Sequence, residues 1–407
     1  MSRPLIEDGA VRVLEHRIAA VGRWADLKVH SAEGVLDLGD AALLPGLVNA
    51  HCHLDYTKMA GMISPPRAFS DWIKALIAVK ASWSYSDYAD SWLEGARMLL
   101  RNGTTTVGDF EAVPELLPDV WTATPLRVFS FLELTCVRTC HAPSDVISQA
   151  LGHIQTLRHP RCSAHLGPHA VYSTTPELLG LCASVALERD LLTSMHLGES
   201  LDEWEMCMNR RGALFDWLKN QRDASDCGGV TPVEQAESRR LLTTKLLSVH
   251  VNHLGPHDAR RLRQAGCSVV HCPRSHDYFC HQEFPFEQLK AEGINVCLGT
   301  DSLVSVLSSR KQAPVLNLFA EMQRFAQSHP DVSGRDILEM ATINGAKALR
   351  QEGRLGVIEP GAWADLIALP FSGKIEEAQN AVVNHTGDIL ASMIAGDWAI
   401  SPYNVSR

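Results

Sequence analysis

Two histidines stand one residue apart in LVNAHCHLDYTKM, the stretch that closes at Met59 behind an apolar run. In an extended strand residues i and i+2 share a face, so His51 and His53 would project together. A pair of imidazoles on one face suits a divalent metal ion. With 18 histidines in the chain, an HxH pair can also arise by chance on a surface. Three more polar residues stand at the ends of apolar, β-branched runs: His196 in LLTSMHL, His250 in KLLSVHV, and Asp301 directly after INVCLGT. Imidazoles and carboxylates are the residue types that bind metal ions and move protons at neutral pH.

Such residues act together only if the fold brings them to one place. Apolar β-branched runs alternate with helix-like stretches along the chain. The strand candidates are LLPGLVNAH, TTTVGDF, LRVFSFLEL, CSAHLGPHA, LLTSMHL, KLLSVHV, CSVVHCP and INVCLGT. Between them lie SDWIKALIAVKASW, SDYADSWLEGARMLLRNG and PHDARRLRQAG, the last two ending on a glycine suited to a helix C-terminus. Eight strand-helix units over roughly 300 residues predict an α/β fold, a TIM-type (β/α)8 barrel, in preference to a doubly wound open sheet. In a barrel the carboxyl ends of the strands form the mouth, and there His51, His53, His196, His250 and Asp301 converge. Residues 8–44 and the stretch after Gly356 read as short strands and turns. The expected organisation is a catalytic barrel over 45–353 and a small β-sandwich domain built from both chain termini, 1–44 and 354–407. No internal repeat, low-complexity tract or long linker interrupts it.

Composition excludes several classes of function. The chain has 407 residues, 45% of them hydrophobic and 21% charged, enough for one large core and a smaller second one. A net charge of -10 and a pI near 6.0 give no electrostatic reason for binding nucleic acid or an anionic membrane. A small-molecule substrate is the expected partner, and a homodimer stays open as the assembly. The start, MSRPLIEDGAVRV, is too acidic for a signal peptide, and no apolar run reaches the ~18 residues of a membrane span. Eleven cysteines without a CxxC pair read as reduced core thiols, which points to the cytoplasm.

The set PGLVNAHCHLD, GPHAVYSTTPEL, SMHLGES, SVHVNHLG, VVHCPRSH and LGTDS, followed by MATINGAKALR and GVIEPGAWADLIAL, resembles the amidohydrolase superfamily in the same order along nearly the whole chain. Within it the chain is similar to the adenosine, S-adenosylhomocysteine and aminofutalosine deaminases and to the triazine chlorohydrolases. Against that pattern the chain begins late, short of a first strand, and SVLSSRKQAP after Leu303 replaces an SN-containing loop.

The resemblance implies that His51, His53, His196 and Asp301 bind one catalytic metal, zinc as the first expectation and iron as the second. No lysine closes strand four, where binuclear relatives place a bridging one, so one ion is expected. It implies that Glu199 shuttles a proton to the leaving group, that Asp301 accepts one from the attacking water, and that His250 hydrogen-bonds that water. His169 corresponds to a substrate-contacting histidine. Phe69 and Trp72, in the loop after strand one, would stack on a base or form the buried face of a helix. His271 and Arg274 would reach the substrate or order their loop; His253 and His276 fall outside the ligand set, and Cys52 points away from the HxH face. The implied reaction is hydrolytic deamination of an aminated heterocycle, an adenosine-like or aminofutalosine-like nucleoside, with release of ammonia. Chlorohydrolase or cyclic amide hydrolase chemistry is the alternative, and a non-catalytic metal- or ligand-binding barrel the remote one.

Overall fold

The computed structural model describes residues 4–27, 34–65, 68–137, 142–308 and 313–402. Part of the SVLSSRKQAP segment therefore lies outside the described residues. Eight strands form one parallel sheet: β4 (Leu47–Cys52), β5 (Thr104–Glu111), β6 (Arg127–Leu134), β7 (Ser163–Pro168), β8 (Thr193–Leu197), β9 (Leu246–His250), β10 (Ser268–His271) and β11 (Asn295–Leu298). They are the eight expected from sequence, paired in chain order with helices between them.

The first and last strands meet through the site itself. Amides of Thr300 and Asp301 donate to the His51 carbonyl at 3.0 and 3.1 Å. The Asn49 side chain donates to Thr300 Oγ1 at 2.7 Å and accepts from the Thr300 amide at 3.0 Å. Closure is thus made by the residues next to the candidate ligands. Inside the barrel, Val48, Phe110, Phe129, Phe131, Val249, Val270 and Cys297 form an apolar plug under the mouth. A larger apolar layer between strands and helices holds Leu47, Trp92, Val107, Leu166, Val269 and Phe325. The Tyr85–Arg101 helix begins at a Ser84/Asp87 capping box, and Asp258–Ala265 ends at Gly266 with φ +71.

The expected first strand, LLPGLVNAH, divides at Gly46. Its first part belongs to β3 (Ala41–Pro45), which pairs antiparallel with β12 (Leu366–Pro370). β13 (Ala391–Ile394) and β14 (Asp397–Ile400) complete a four-stranded sheet drawn from both ends of the chain. A hairpin of β1 (Gly9–Leu14) and β2 (Arg17–Arg23) rests on it through Ile18, whose amide donates to the Ala362 carbonyl at 2.9 Å. Glycine is required at position 46 because a Cβ there would lie 2.1 Å from Thr105 Oγ1. Among the described residues, no helix is long and apolar enough to cross a membrane.

Candidate metal centre and active site

His51, His53 and His196 lie together at the carboxyl ends of β4 and β8, each buried and each with a ligand nitrogen within 4.8 Å of the others. Register slips in the pairing of β4 with β5 between Asn49 and Cys52, an irregularity of the kind that re-aims side chains. The His51 and His53 rings stand edge to face at 5.0 Å, and the Nε2 atoms of His53 and His196 approach to 3.3 Å. Asp301 Oδ1 is 3.7 Å from Nε2 of both His51 and His53.

This donor set fits a divalent cation. Nδ1 of His196 faces the His169 carbonyl at 3.0 Å; donation there fixes the tautomer and leaves the Nε2 lone pair aimed at the cluster. His51 Nε2 is buried without a hydrogen-bond partner. Burial, helped by His51, pushes His53 down to about 3, and burial with the neighbouring imidazoles holds His196 well below the usual histidine range. For Asp301 burial acts upward, but the adjoining histidines, His51 among them, prevail and hold it well below the carboxylate range. Neutral imidazoles and an ionised carboxylate are the forms that ligate metal.

The surroundings fix those ligands. Phe110 underlies them, its ring 5.8, 5.4 and 4.8 Å from His51, His53 and His196. Asp301 Oδ2 accepts from Ser275 Oγ at 2.6 Å and Ser305 Oγ at 3.0 Å. Gly299 precedes it because a Cβ there would press to 2.8 Å on the His51 carbonyl. His250, Val251 and Asp301 have φ of +72, +52 and +52, backbone strain that branched or bulky residues seldom carry outside functional sites.

Glu199 follows β8 through Gly198, whose φ is +60 and where a Cβ would lie 2.7 Å from the His253 carbonyl. Its amide donates to Glu203 Oε2 at 2.8 Å, and its carbonyl accepts from Asn252 Nδ2 at 3.0 Å. Ser200 caps the next helix by accepting from the Glu203 amide at 3.1 Å. So held, Glu199 Oε1 lies 3.6 Å from His250 Nε2. Burial first, then Asp301 and Glu203, raise Glu199 well above the carboxylate range, while burial pushes His250 down to about 3.

The remaining sequence candidates divide. His169 is half-buried, Nδ1 2.7 Å from Ser173 Oγ and its ring 4.7 Å from that of His196. Phe69 and Trp72 lie in the Phe69–Lys80 helix, stacked at 6.0 Å and both against Phe279, with Tyr172 on the other side of Phe69. His271 and Arg274 are not brought to the site. Next to inward Val270, His271 faces the helical layer, stacked on Phe284 at 3.7 Å and edge-on to Phe325. Arg274, in the Pro273–Tyr278 helix, is committed to Glu321 and to the Val315 carbonyl at 3.1 Å. His276 holds Asn252 Oδ1 at 3.1 Å, and the ring of His253 is 6.0 Å from that of His281. Sequence reasoning missed Phe110, Ser275, Ser305, Asn252 and Glu203. Only Glu203 left a signal, the SLDE spacing of a capping box.

The sequence pattern described as the Amidohydrolase family matches residues 42–399. The chain is 31% identical to the 5-methylthioadenosine/S-adenosylhomocysteine deaminase of Nitratidesulfovibrio vulgaris (strain DSM 19637 / Miyazaki F), over 97% of this chain and 88% of that protein. It superposes on an adenosine deaminase from Xanthomonas campestris with bound zinc at a TM-score of 0.84 and 24% identity, covering 97% of this chain and 88% of that one. It superposes equally, at 0.84 and 21% identity, on Helicobacter pylori aminofutalosine deaminase in complex with methylthio-coformycin, covering 97% of this chain and 95% of that one. At those identities the two superpositions establish a shared fold.

Proposed function

The chain belongs to the amidohydrolase family, and from that premise we propose that its metal centre carries out hydrolytic deamination of an adenosine-like nucleoside, releasing ammonia. It is a hydrolase acting on carbon-nitrogen bonds. The observation that carries the reading is the three-histidine cluster with Asp301 Oδ1 3.7 Å from two of its nitrogens and the Glu199–His250 pair beside it at 3.6 Å. Chemistry of this kind needs a cation site, an acid and a hydrogen-bonding base within one small space.

His51, His53, His196 and Asp301 would hold one divalent ion, zinc before iron, and the ion would supply Lewis acidity and a water acidified to near neutral pH. Glu199 stands where it can deliver a proton to the heterocycle and recover one from water, ending with its proton on the departing amine. Its place 3.6 Å from His250 Nε2, beside the ligand cluster, suits it to be the donor. His250, kept neutral, presents Nε2 as a hydrogen-bond partner for the oxygen that adds to the ring carbon. Water in and ammonia out balance the reaction, and the ring carbon exchanges its amino group for oxygen. Relatives named as deaminases of 5-methylthioadenosine, S-adenosylhomocysteine and 5'-deoxyadenosine support the substrate class. A cytoplasmic setting suits the ten described cysteines, nine of them buried.

The test is ammonia release by metal-loaded protein from adenosine, 5-methylthioadenosine, S-adenosylhomocysteine, 5'-deoxyadenosine and aminofutalosine. Turnover of at least one supports the assignment. Silence across these and other purine, pyrimidine and pterin amines, with chloride released from a chlorotriazine or hydrolysis of a cyclic amide, would replace deamination with the alternative chemistry.

A further inference from the structure

The mouth contains a carboxylate for which neither metal binding nor proton transfer has a use. On β6, Phe129 and Phe131 point into the apolar plug, so strand alternation puts Glu133 on the same inner face, one step nearer the mouth. Its register partner on β7 is Gly167, which adds no side chain in front of it. The Glu133 side chain keeps 15% exposure, unlike the sealed residues beneath. Burial acts to raise its proton affinity, but Lys80 first, then His169 and His53, prevail and hold it below the usual glutamate range.

The Glu133 carboxylate is satisfied loosely. Tyr56 OH lies 3.5 Å from Oε2 and Lys80 Nζ 3.7 Å from Oε1, both at the far limit of direct contact. Lys80 Nζ also donates to Tyr56 OH. The Tyr56 ring stacks on His53 at 5.1 Å with 6° between planes, so the carboxylate stands across one tyrosine from the ligand cluster. Two carboxylate oxygens offer about four acceptor positions, of which these neighbours occupy few. A desolvated anion with spare acceptors calls for hydroxyl donors, and a vicinal diol supplies two at matching spacing.

We propose that Glu133 is a specificity-determining residue that accepts hydrogen bonds from the 2'- and 3'-hydroxyls of a ribonucleoside substrate, with Lys80 and Tyr56 as its positioning residues. The inference rests on the deaminase reading for its substrate class. A substrate without the diol leaves the buried anion unpaired, which is how a site built for hydroxyls rejects an analogue lacking them.

The experiment compares adenosine with 2',3'-dideoxyadenosine on the metal-loaded full chain, by ammonia release and separately by the rise in unfolding temperature on binding. Wild type should favour adenosine at least about tenfold in kcat/KM, with the larger thermal shift. Glu133→Gln should shrink the preference and Glu133→Leu abolish it, by losing adenosine while leaving the dideoxy compound nearly unchanged. Lys80→Met should fall between, with its metal retained. Equal treatment of the two nucleosides by wild type, or an equal loss on both in a folded Glu133→Gln protein, overturns the role. If no ammonia appears from either compound but adenosine still binds preferentially through Glu133, deamination fails and Glu133 stands. If ammonia appears equally from both, deamination stands and Glu133 falls.

Discussion

An imidazole binds a metal only through a free lone pair, and the residues around this cluster decide which nitrogen is free. His196 spends Nδ1 on the His169 carbonyl, and Asp301 spends Oδ2 on two serines, so Nε2 and Oδ1 are left facing inward. Purified protein should carry about one zinc or iron per chain, and His51→Ala or Asp301→Ala should lose it. Elemental analysis finding two ions per chain, or full occupancy in both variants, would reject the mononuclear site. Ser275→Ala keeps every ligand but leaves Asp301 Oδ2 held by Ser305 alone, so its metal affinity should drop by about tenfold or more, measured by competition with a chelator. Glu199 lies outside the ligand set, and its expected loss is kinetic. Since general acid-base catalysis is worth about a hundred- to ten-thousandfold, Glu199→Gln should keep its metal and lose at least about two decades of kcat. Normal turnover by metal-replete Glu199→Gln would remove it from the mechanism.

At the scale of elements, β4, β8, β9 and β11 deliver their polar residues at or just past their carboxyl ends. Apolar β-branched runs with a polar terminus are local patterns, which is why all eight strands, and the convergence of His51, His53, His196, His250 and Asp301, were legible in the sequence. Contacts made only by closure were not. A phenylalanine in TTTVGDF reads as generic core until β4 and β8 bring three histidines over it, and the serines on Asp301 come from two separate short helices, Pro273–Tyr278 and Leu303–Ser305. His271 shows a different gap: alternation in CSVVHCP was visible, but which parity faces inward depends on neighbouring strands. Trp72 poses the same question for a helix. It is half-buried between Phe69 and Phe279, at the edge of a cluster containing Tyr172 and Met206. If its ring stacks on a base, Trp72→Ala should lower kcat/KM for the best nucleoside roughly tenfold with unchanged Tm, the ~1 kcal/mol of an aromatic pair. If it is packing, the variant loses ~3 to 5 kcal/mol of stability and keeps its kinetics at low temperature. Paired melting and kinetic measurements separate the two.

Across the whole molecule, the barrel and the terminal sheet are joined on the side away from the mouth, and β6 shows the division along its own length. Glu133 stands near its carboxyl end among the site residues, whereas Arg127 at its amino end makes a two-pronged ion pair with Asp365 at 3.1 and 3.2 Å, both buried. Asp365 also accepts from the Ala395 amide at 2.8 Å, and its carbonyl accepts from Gly46 at 2.9 Å, the residue where the chain crosses from β3 into β4. Trp363 covers the pair, with the guanidinium groups of Arg127 and Arg17 at 4.8 and 4.0 Å from its ring. The amino-end face of such barrels carries stability and the carboxyl-end face carries chemistry. Arg127→Met should therefore strand a buried carboxylate and cost about 3–5 kcal/mol, with metal content and kcat/KM unchanged in the folded fraction. Adding Asp365→Leu removes the stranded charge, so the double variant should recover much of that loss, although the Ala395 amide then goes unpaired. A double-mutant cycle in denaturant measures the coupling. Additive losses would mean the pair does not act as a unit; a drop in kcat at full metal occupancy would mean that the two ends of β6 are not independent.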